Sequence, residues 1–195
     1  MSGWKIIDGE AAGLPTENVD TDQLIPARFM STPRSEGYGR YLLHDVRQDS
    51  PDHVLNRTSP KVLVTRRNFG SGSSREAAVY ALVDFGIRAV FAPSFGDIFS
   101  GNAVNNGLLP ARLPEDVVED LLAELGTGTA DAHVDLMAGT ARIAGRDIEF
   151  NLNPVWREKL INGWDDIDLT SQHSNVISTF RADRMARFGW ANPTT

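Results

Sequence analysis

The sequence predicts an α/β domain built on a parallel sheet, and three observations carry that prediction. Val62-Leu63-Val64-Thr65 is a short β-branched run bounded by Pro60, Ala77 to Phe85 reads as a helix stopped by Gly86, and Ala89-Val90-Phe91-Ala92 is a second apolar strand. Strand 62–65, helix 74–85 and strand 88–92 make a βαβ unit, whose crossover pairs its two strands in parallel. In open sheets of this kind ligands bind at the carboxyl ends of the strands, which places interest on the stretch from Arg67 to Glu76. At 195 residues with 41% hydrophobic content the chain can bury one sizeable core. No shift in composition divides it, so a single domain over 1–195 is expected.

From the N-terminus, Trp4 to Gly9 reads as a strand and turn. Asn18 to Phe29 holds Asp20, Thr21 and Asp22 in a loop before an apolar run, and a helix N-cap explains these residues equally well. A bare D-x-D without further acids or a glycine-bearing loop is weak evidence for calcium. Ser31 to Pro60 is rich in Ser, Pro, Gly, Arg and Asp with little periodicity, and is expected to be a long excursion, mobile in the absence of a partner. Within it Tyr41, Leu42 and Leu43 suit either a ligand's alkyl group or the domain's own core.

Beyond the second strand come a short helix near Asp97 to Val104, a strand at Leu108 to Leu113, and an amphipathic helix from Pro114 to Leu125. Val117, Leu121, Leu122 and Leu125 form the expected buried side of that helix. His133 to Asn151 reads as a hairpin or meander split by Ala138-Gly139 and Gly145-Arg146. Helices follow at Pro154 to Ile161 and Thr170 to Phe188. Arg181, Arg184 and Arg187 share roughly one face of the last, either solvated or docked to an acidic partner.

Arg67-Asn68-Phe69-Gly70-Ser71-Gly72-Ser73-Ser74-Arg75-Glu76 is the most informative run, because it puts two glycines, two hydroxyls and a cation where a strand meets a helix. Glycine lets backbone come close to a ligand, and the first turn of a helix offers unpaired N–H groups to an anion such as a carboxylate. Ser73 followed by Glu76 also fits an S-x-x-E capping box, a purely structural alternative. Arg75 in the first helical turn opposes the helix dipole, which points to an anion beside it. The corner alone does not make Ser73 a base: a helix N-terminus supplies at most about 2 kcal/mol, or roughly 1.5 pK units. Further positive charge has to come from Arg75, a bound substrate and metal, or another chain.

Several classes are excluded. The corner has no Walker lysine, no third glycine of the dinucleotide fingerprint and no second glycine of the G-x-S-x-G elbow. His44, His53, His133 and His173 show no metal-binding spacing, and Asn56-Arg57-Thr58 is a glycosylation sequon in form only. A net charge of -7 argues against a phosphate-backbone partner. With no secretory pattern and no apolar run approaching about 18 residues, a cytoplasmic protein is expected. Zero cysteines mean that the chain has no thiolate of its own for an iron–sulfur cluster.

Four segments resemble the family of 3-isopropylmalate dehydratase (isopropylmalate isomerase) small subunits, related to the mobile C-terminal domain of aconitase. They are Asn18 to Pro26, Asn68 to Glu76, Ala92 to Phe99 and Asn105 to Pro110, with a weaker fifth from Asn162 to Thr170. The resemblance covers the whole chain. It implies a three-layer β/β/α swivelling domain with a mainly parallel core sheet, and a hydro-lyase of leucine biosynthesis that interconverts 2- and 3-isopropylmalate. It also implies a large-subunit partner whose [4Fe-4S] cluster binds the substrate hydroxyl and a carboxylate, with the excursion at 31–60 folding over the site. Carried over position by position, Ser73 is the catalytic base acting as its alkoxide. Ser74 and Arg75 hold substrate carboxylate, and Thr21 and Asp22 line the site.

The chain departs from the family pattern at Ser71, Ala77 and Gly96, where many members carry cysteine, histidine and alanine. Ala77 removes an ionisable group beside the anion site, which favours a paralogue acting on another small alkyl malate, such as citramalate or dimethylmalate. A reading of another class is a non-catalytic anion-binding or assembly module in which Ser73 only caps a helix.

Overall fold

The computed structural model describes residues 3–191. Strand β1 (Ile6–Leu14) is longer than the expected strand and turn at Trp4 to Gly9. Gly9, Ala11, Ala12 and Gly13 are poor strand formers, but Ala11 and Ala12 are fully buried, and tertiary burial overrides propensity. The chain then forms the short helices α1 (Thr21–Leu24), α2 (His44–Asp49) and α3 (Val54–Arg57), followed by strand β2 (Val62–Thr65). Helix α4 (Glu76–Phe85), strand β3 (Ala89–Ala92), helix α5 (Asp97–Asn105) and strand β4 (Leu109–Arg112) complete the parallel half. After helix α6 (Glu115–Leu125) come strands β5 (Thr129–Asp135), β6 (Thr140–Ile143) and β7 (Arg146–Glu149), then helices α7 (Pro154–Asn162), α8 (Asp166–Ser171) and α9 (Ser174–Arg187).

All seven strands form one sheet in the order β4-β3-β2-β1-β5-β6-β7. β1 to β4 pair in parallel, as the βαβ pattern predicts, whereas β5 runs antiparallel to β1 and continues into β6 and β7. The smaller antiparallel layer is therefore continuous with the parallel sheet and curls over one of its faces. A bridge between Arg112 and Asn151 joins the two edges, and Phe91 of β3 meets Phe150 edge-on at 5.7 Å between ring centroids.

β2 and β3 are buried on both faces. Leu63 and Val90 face a core closed by α4, α5 and residues 24–55, while Val62, Val64 and Phe91 face α6 and the curled strands. Each fully buried aliphatic or aromatic side chain here contributes about 1.5–3 kcal/mol. α6 buries Val118 with Leu121, Leu122 and Leu125; Val117 is only half-buried, so the helix is turned slightly from the expected face. The single helix expected over Thr170 to Phe188 is two, α8 and α9, and Asp165 and Asp168 form a capping box that starts the first of them.

The excursion at 31–60 packs against α4. The Tyr38 N–H donates to the Asp84 carboxylate at 2.9 Å, and Gly39 lies so close to Asp84 and Phe85 that a Cβ there would meet backbone at 2.6 Å. Leu42 and Leu43 are buried in the core, leaving Tyr41 half-buried and stacked on Phe29 at 4.2 Å. Arg28 and His44 both bind Asp45, tying the turn after α1 to α2.

The Arg28 guanidinium, and after it His44, hold the Asp45 carboxyl down to about 2. Because this lies below the unfolded value of about 3.9, the pair's contribution is complete above that value and is lost as the pH falls through the folded one. Comparing thermal midpoints of the parent and Asp45→Asn, the gap should hold constant from about pH 5 to 8 and close towards about pH 2. A gap that widened in acid would contradict the assignment.

Candidate active site at the carboxyl edge of the parallel strands

Past the carboxyl ends of β1 and β2 the parallel pairing continues as isolated contacts, Asp20 with Ser71 and Phe69 with Phe95. Backbone hydrogen bonds hold the corner from both sides. Gly70 N–H donates to Val19 O at 2.7 Å and Thr21 N–H to Ser71 O at 3.0 Å; Phe69 N–H donates to Ser94 O at 3.1 Å and Gly96 N–H to Phe69 O at 2.9 Å. The crossing is tight enough that a Cβ on Gly70 would sit 2.2 Å from the Phe99 ring, and one on Gly96 would sit 2.5 Å from the Gly70 carbonyl oxygen. Gly96, one of the departures from the family pattern, thus has a steric reason in this chain. Gly70 and Gly72 adopt φ of 71° and 89°, as the glycine reading requires.

In α1, Asp20 accepts from the Gln23 N–H at 2.8 Å while the Gln23 side chain accepts from the Asp20 N–H, a reciprocal cap. The alternative raised for this loop, a helix N-cap, is what forms. It aims the next two residues at the corner. Thr21, buried, donates its hydroxyl to the Ser73 carbonyl at 3.1 Å, and Asp22 makes an ion pair with Arg75. All five residues singled out for the site, Thr21, Asp22, Ser73, Ser74 and Arg75, therefore lie together. Asp20 and Asp22 are engaged in the cap and the ion pair. Among the described residues no three potential metal ligands converge.

Two expectations need correcting. Ser73 does not cap α4: the helix begins at Glu76, Arg75 occupies the capping position, and no side chain caps it. The Ser73 carbonyl instead accepts from Thr21 Oγ1 and from the Arg75 N–H at 2.7 Å, three residues before the first helical residue. The Glu76 carboxylate does not reach back to Ser73, but accepts from Asn106 Nδ2 at 2.8 Å. Arg75, for its part, lies just outside the first turn, and the anion beside it in the free chain is Asp22. A guanidinium has five N–H donors, so this pair leaves donors for a second carboxylate.

Gly72, Ser73 and Ser74 are exposed, while Arg75 is largely covered. The result is an open shelf, with unpaired helix N–H groups, a guanidinium and two hydroxyls on one side. A hollow of about 500 Å³ lies elsewhere, over His133, Arg142 and Asp147 on the antiparallel strands, where Asp8–His133 and Arg142–Asp147 pair across neighbouring strands. Behind the shelf, burial and then the Glu76 carboxylate push the Tyr80 phenol up, and the Arg34 guanidinium lies 3.4 Å over its ring.

The aconitase C-terminal domain family model matches residues 1–116. A 3-isopropylmalate dehydratase small subunit of Granulibacter bethesdensis is 43% identical over 97% of this chain and 96% of its own length. One of Rhodospirillum centenum is 45% identical over 98% of this chain and 99% of its own. The chain belongs to the 3-isopropylmalate dehydratase small-subunit family. The crystal structure of a 3-isopropylmalate dehydratase from Methanocaldococcus jannaschii superposes with a TM-score of 0.69 at 29% identity, over 89% of this chain and 98% of that one. The expected swivelling-domain fold of the family is thereby established.

Sequence reading assigned no role to Asn18, Asn68 or Ser94, which fix the shelf from beneath. Asn68 Nδ2 donates to Asn18 Oδ1 at 2.8 Å, the Asn68 N–H donates to Ser94 Oγ at 2.9 Å, and both asparagines are left-handed, with φ of 54° and 61°. Asparagine's tolerance of that conformation was the available signal. Replacing Gly70 by alanine combines a left-handed residue with a clash against Phe99, and should cost about 2–4 kcal/mol. Thermal unfolding reads this directly; an unchanged midpoint would show that the crossing relaxes freely.

Proposed function

We propose that this chain is the small subunit of a heteromeric hydro-lyase that interconverts 2-isopropylmalate and 3-isopropylmalate by dehydration and rehydration in leucine biosynthesis. The observation that carries this reading is the convergence of Thr21, Asp22, Ser73, Ser74 and Arg75 on an open shelf, in a chain matched nearly end to end by named small subunits. The whole chain acts as one domain, with Tyr41 and the 31–60 excursion beside the substrate. No helix of the described residues is long and apolar enough to cross a membrane, and the site of action in this reading is the cytoplasm.

With no cysteine, this chain's donors do not fit an iron–sulfur cluster, and in this reading the large subunit carries the [4Fe-4S] cluster. Its open iron would supply a Lewis acid for the departing hydroxyl. On this chain, Ser73 takes the proton from the carbon next to the hydroxyl-bearing one. Ser74 and Arg75 hold a carboxylate, with the α4 N-terminus adding to the positive field. Thr21 fixes the backbone that carries Ser73, and Asp22 orients the Arg75 guanidinium.

Because Ser73 caps nothing, Ser73→Ala should leave stability within about 0.5 kcal/mol while removing turnover by orders of magnitude. Arg75→Lys should chiefly raise KM, since the bidentate fork is lost. Both are read by anaerobic turnover of 3-isopropylmalate with the large subunit, following the alkene intermediate, and full activity in both variants would refute the assignment. Ala77, half-buried against the core under α4, gives a specific reason to include shorter alkyl malates in the same assay. Preference for one of these would move the chain to a paralogous hydratase.

A further inference from the structure

Among the described residues, the C-terminal helix α9 buries none of its apolar face. Every residue from Thr170 to Ala191 is exposed, with Val176 at 68%, Phe180 at 66% and Phe188 at 44%. At 100° per residue, Val176, Ile177 and Phe180 share with Arg181, Arg184 and Arg187 a sector of about 140°, and the C-cap Phe188 places its ring 5.8 Å from the Arg184 guanidinium. The opposite side carries mostly small residues, among them Asn175, Ser178, Thr179, Ala182 and Ala186. Met185 is the one large apolar residue of the helix outside the sector, and a solvated helix has no reason to gather the others with all its cations on one side. The sector suits an apolar groove rimmed by carboxylates.

The root of this arm is built firmly. Lys159 of α7, 4% exposed, donates to Asp166 Oδ1 of α8 at 2.6 Å and to Asn105 Oδ1 of α5, and Asn105 Nδ2 donates to Asp166 Oδ2 at 3.0 Å. Asn106, the next residue, holds Glu76, which adjoins Arg75. The root is thus linked through Asn106 and Glu76 to the start of α4 beside Arg75, on which a subunit that brings the cluster to Ser73 has to close, and the 14 residues of α9 span about 21 Å.

We propose that α9 is a docking arm for the large subunit, lying in an acid-rimmed apolar groove on that partner. The inference rests on the two-subunit reading above. Continuity with the shelf selects the large subunit over a second copy of this chain, and over an anionic lipid surface, which would have no need of a root at the active face.

The test uses the full-length chain and the reconstituted large subunit under anaerobic conditions. Phe180→Ser with Phe188→Ser, and separately Arg181→Glu with Arg184→Glu, should each raise the Kd for the large subunit at least about tenfold. The thermal midpoint of the free subunit and kcat at saturating large subunit should stay unchanged, because all four positions are exposed and none belongs to the shelf. An unchanged Kd in both variants overturns the proposal. So does loss of self-association, or of binding to anionic phospholipid vesicles, without a change in Kd. Wild-type subunits that bind but do not turn over 3-isopropylmalate would refute the proposed activity and leave the arm standing, whereas intact turnover with unchanged Kd would do the reverse.

Discussion

The two-sided pairing of β1 is the constraint on which the rest of the structure depends. Its residues Ala11 to Leu14 pair in parallel with β2 while Ile6 to Ala12 pair antiparallel with β5, so one strand joins the βαβ half to the meander. Every backbone group in the shared stretch needs a partner once buried. The small side chains there allow it: Ala11 and Ala12 are fully covered, and a Cβ on Gly13 would already approach Leu122 of α6 to 3.1 Å. Larger residues would hold α6 off the sheet and open the curl that brings Phe150 onto Phe91.

The same parallel run, carried past the ends of the strands, builds the site. Segments 18–21 and 67–73 exchange backbone bonds as strands do, but with glycine and left-handed asparagine in place of regular strand geometry. Regular pairing would have turned successive side chains to opposite faces. The irregular pairing instead leaves Ser73 and Ser74 exposed and places Asp22 against Arg75. Rigidity comes from beneath, through Phe99, Gly96, Ser94 and the Asn18–Asn68 bond, so the exposed residues need no packing of their own. This suits a site completed by another chain, since a preorganised half-site loses less freedom when its partner arrives.

The C-terminal region follows a different logic. Its root is a buried lysine satisfied by an amide and a carboxylate, an arrangement whose disruption leaves an uncompensated charge. The helix it supports buries nothing of its own. Core, shelf and arm thus differ in where their apolar surface goes: inward, under the site, and outward.

Sequence alone determined the βαβ core, the glycine corner with Ser73 and Arg75, and the absence of any thiolate. Each of these is local, either a periodicity, a turn chemistry or a composition, and locality is what pattern reading detects. The pairing of Asp22 with Arg75, though 53 residues apart, was legible only as membership of two separate motifs; their contact required the fold. Tertiary structure also decided that Ser73 is no cap, because the Thr21 hydroxyl and the Arg75 N–H take its carbonyl and delay the helix to Glu76. It extended β1 through residues of low strand propensity, and among the described residues it left α9 exposed along its whole length. These outcomes depend on which distant surfaces meet, and burial between them outweighs the few tenths of a kcal/mol that local propensity contributes at each residue.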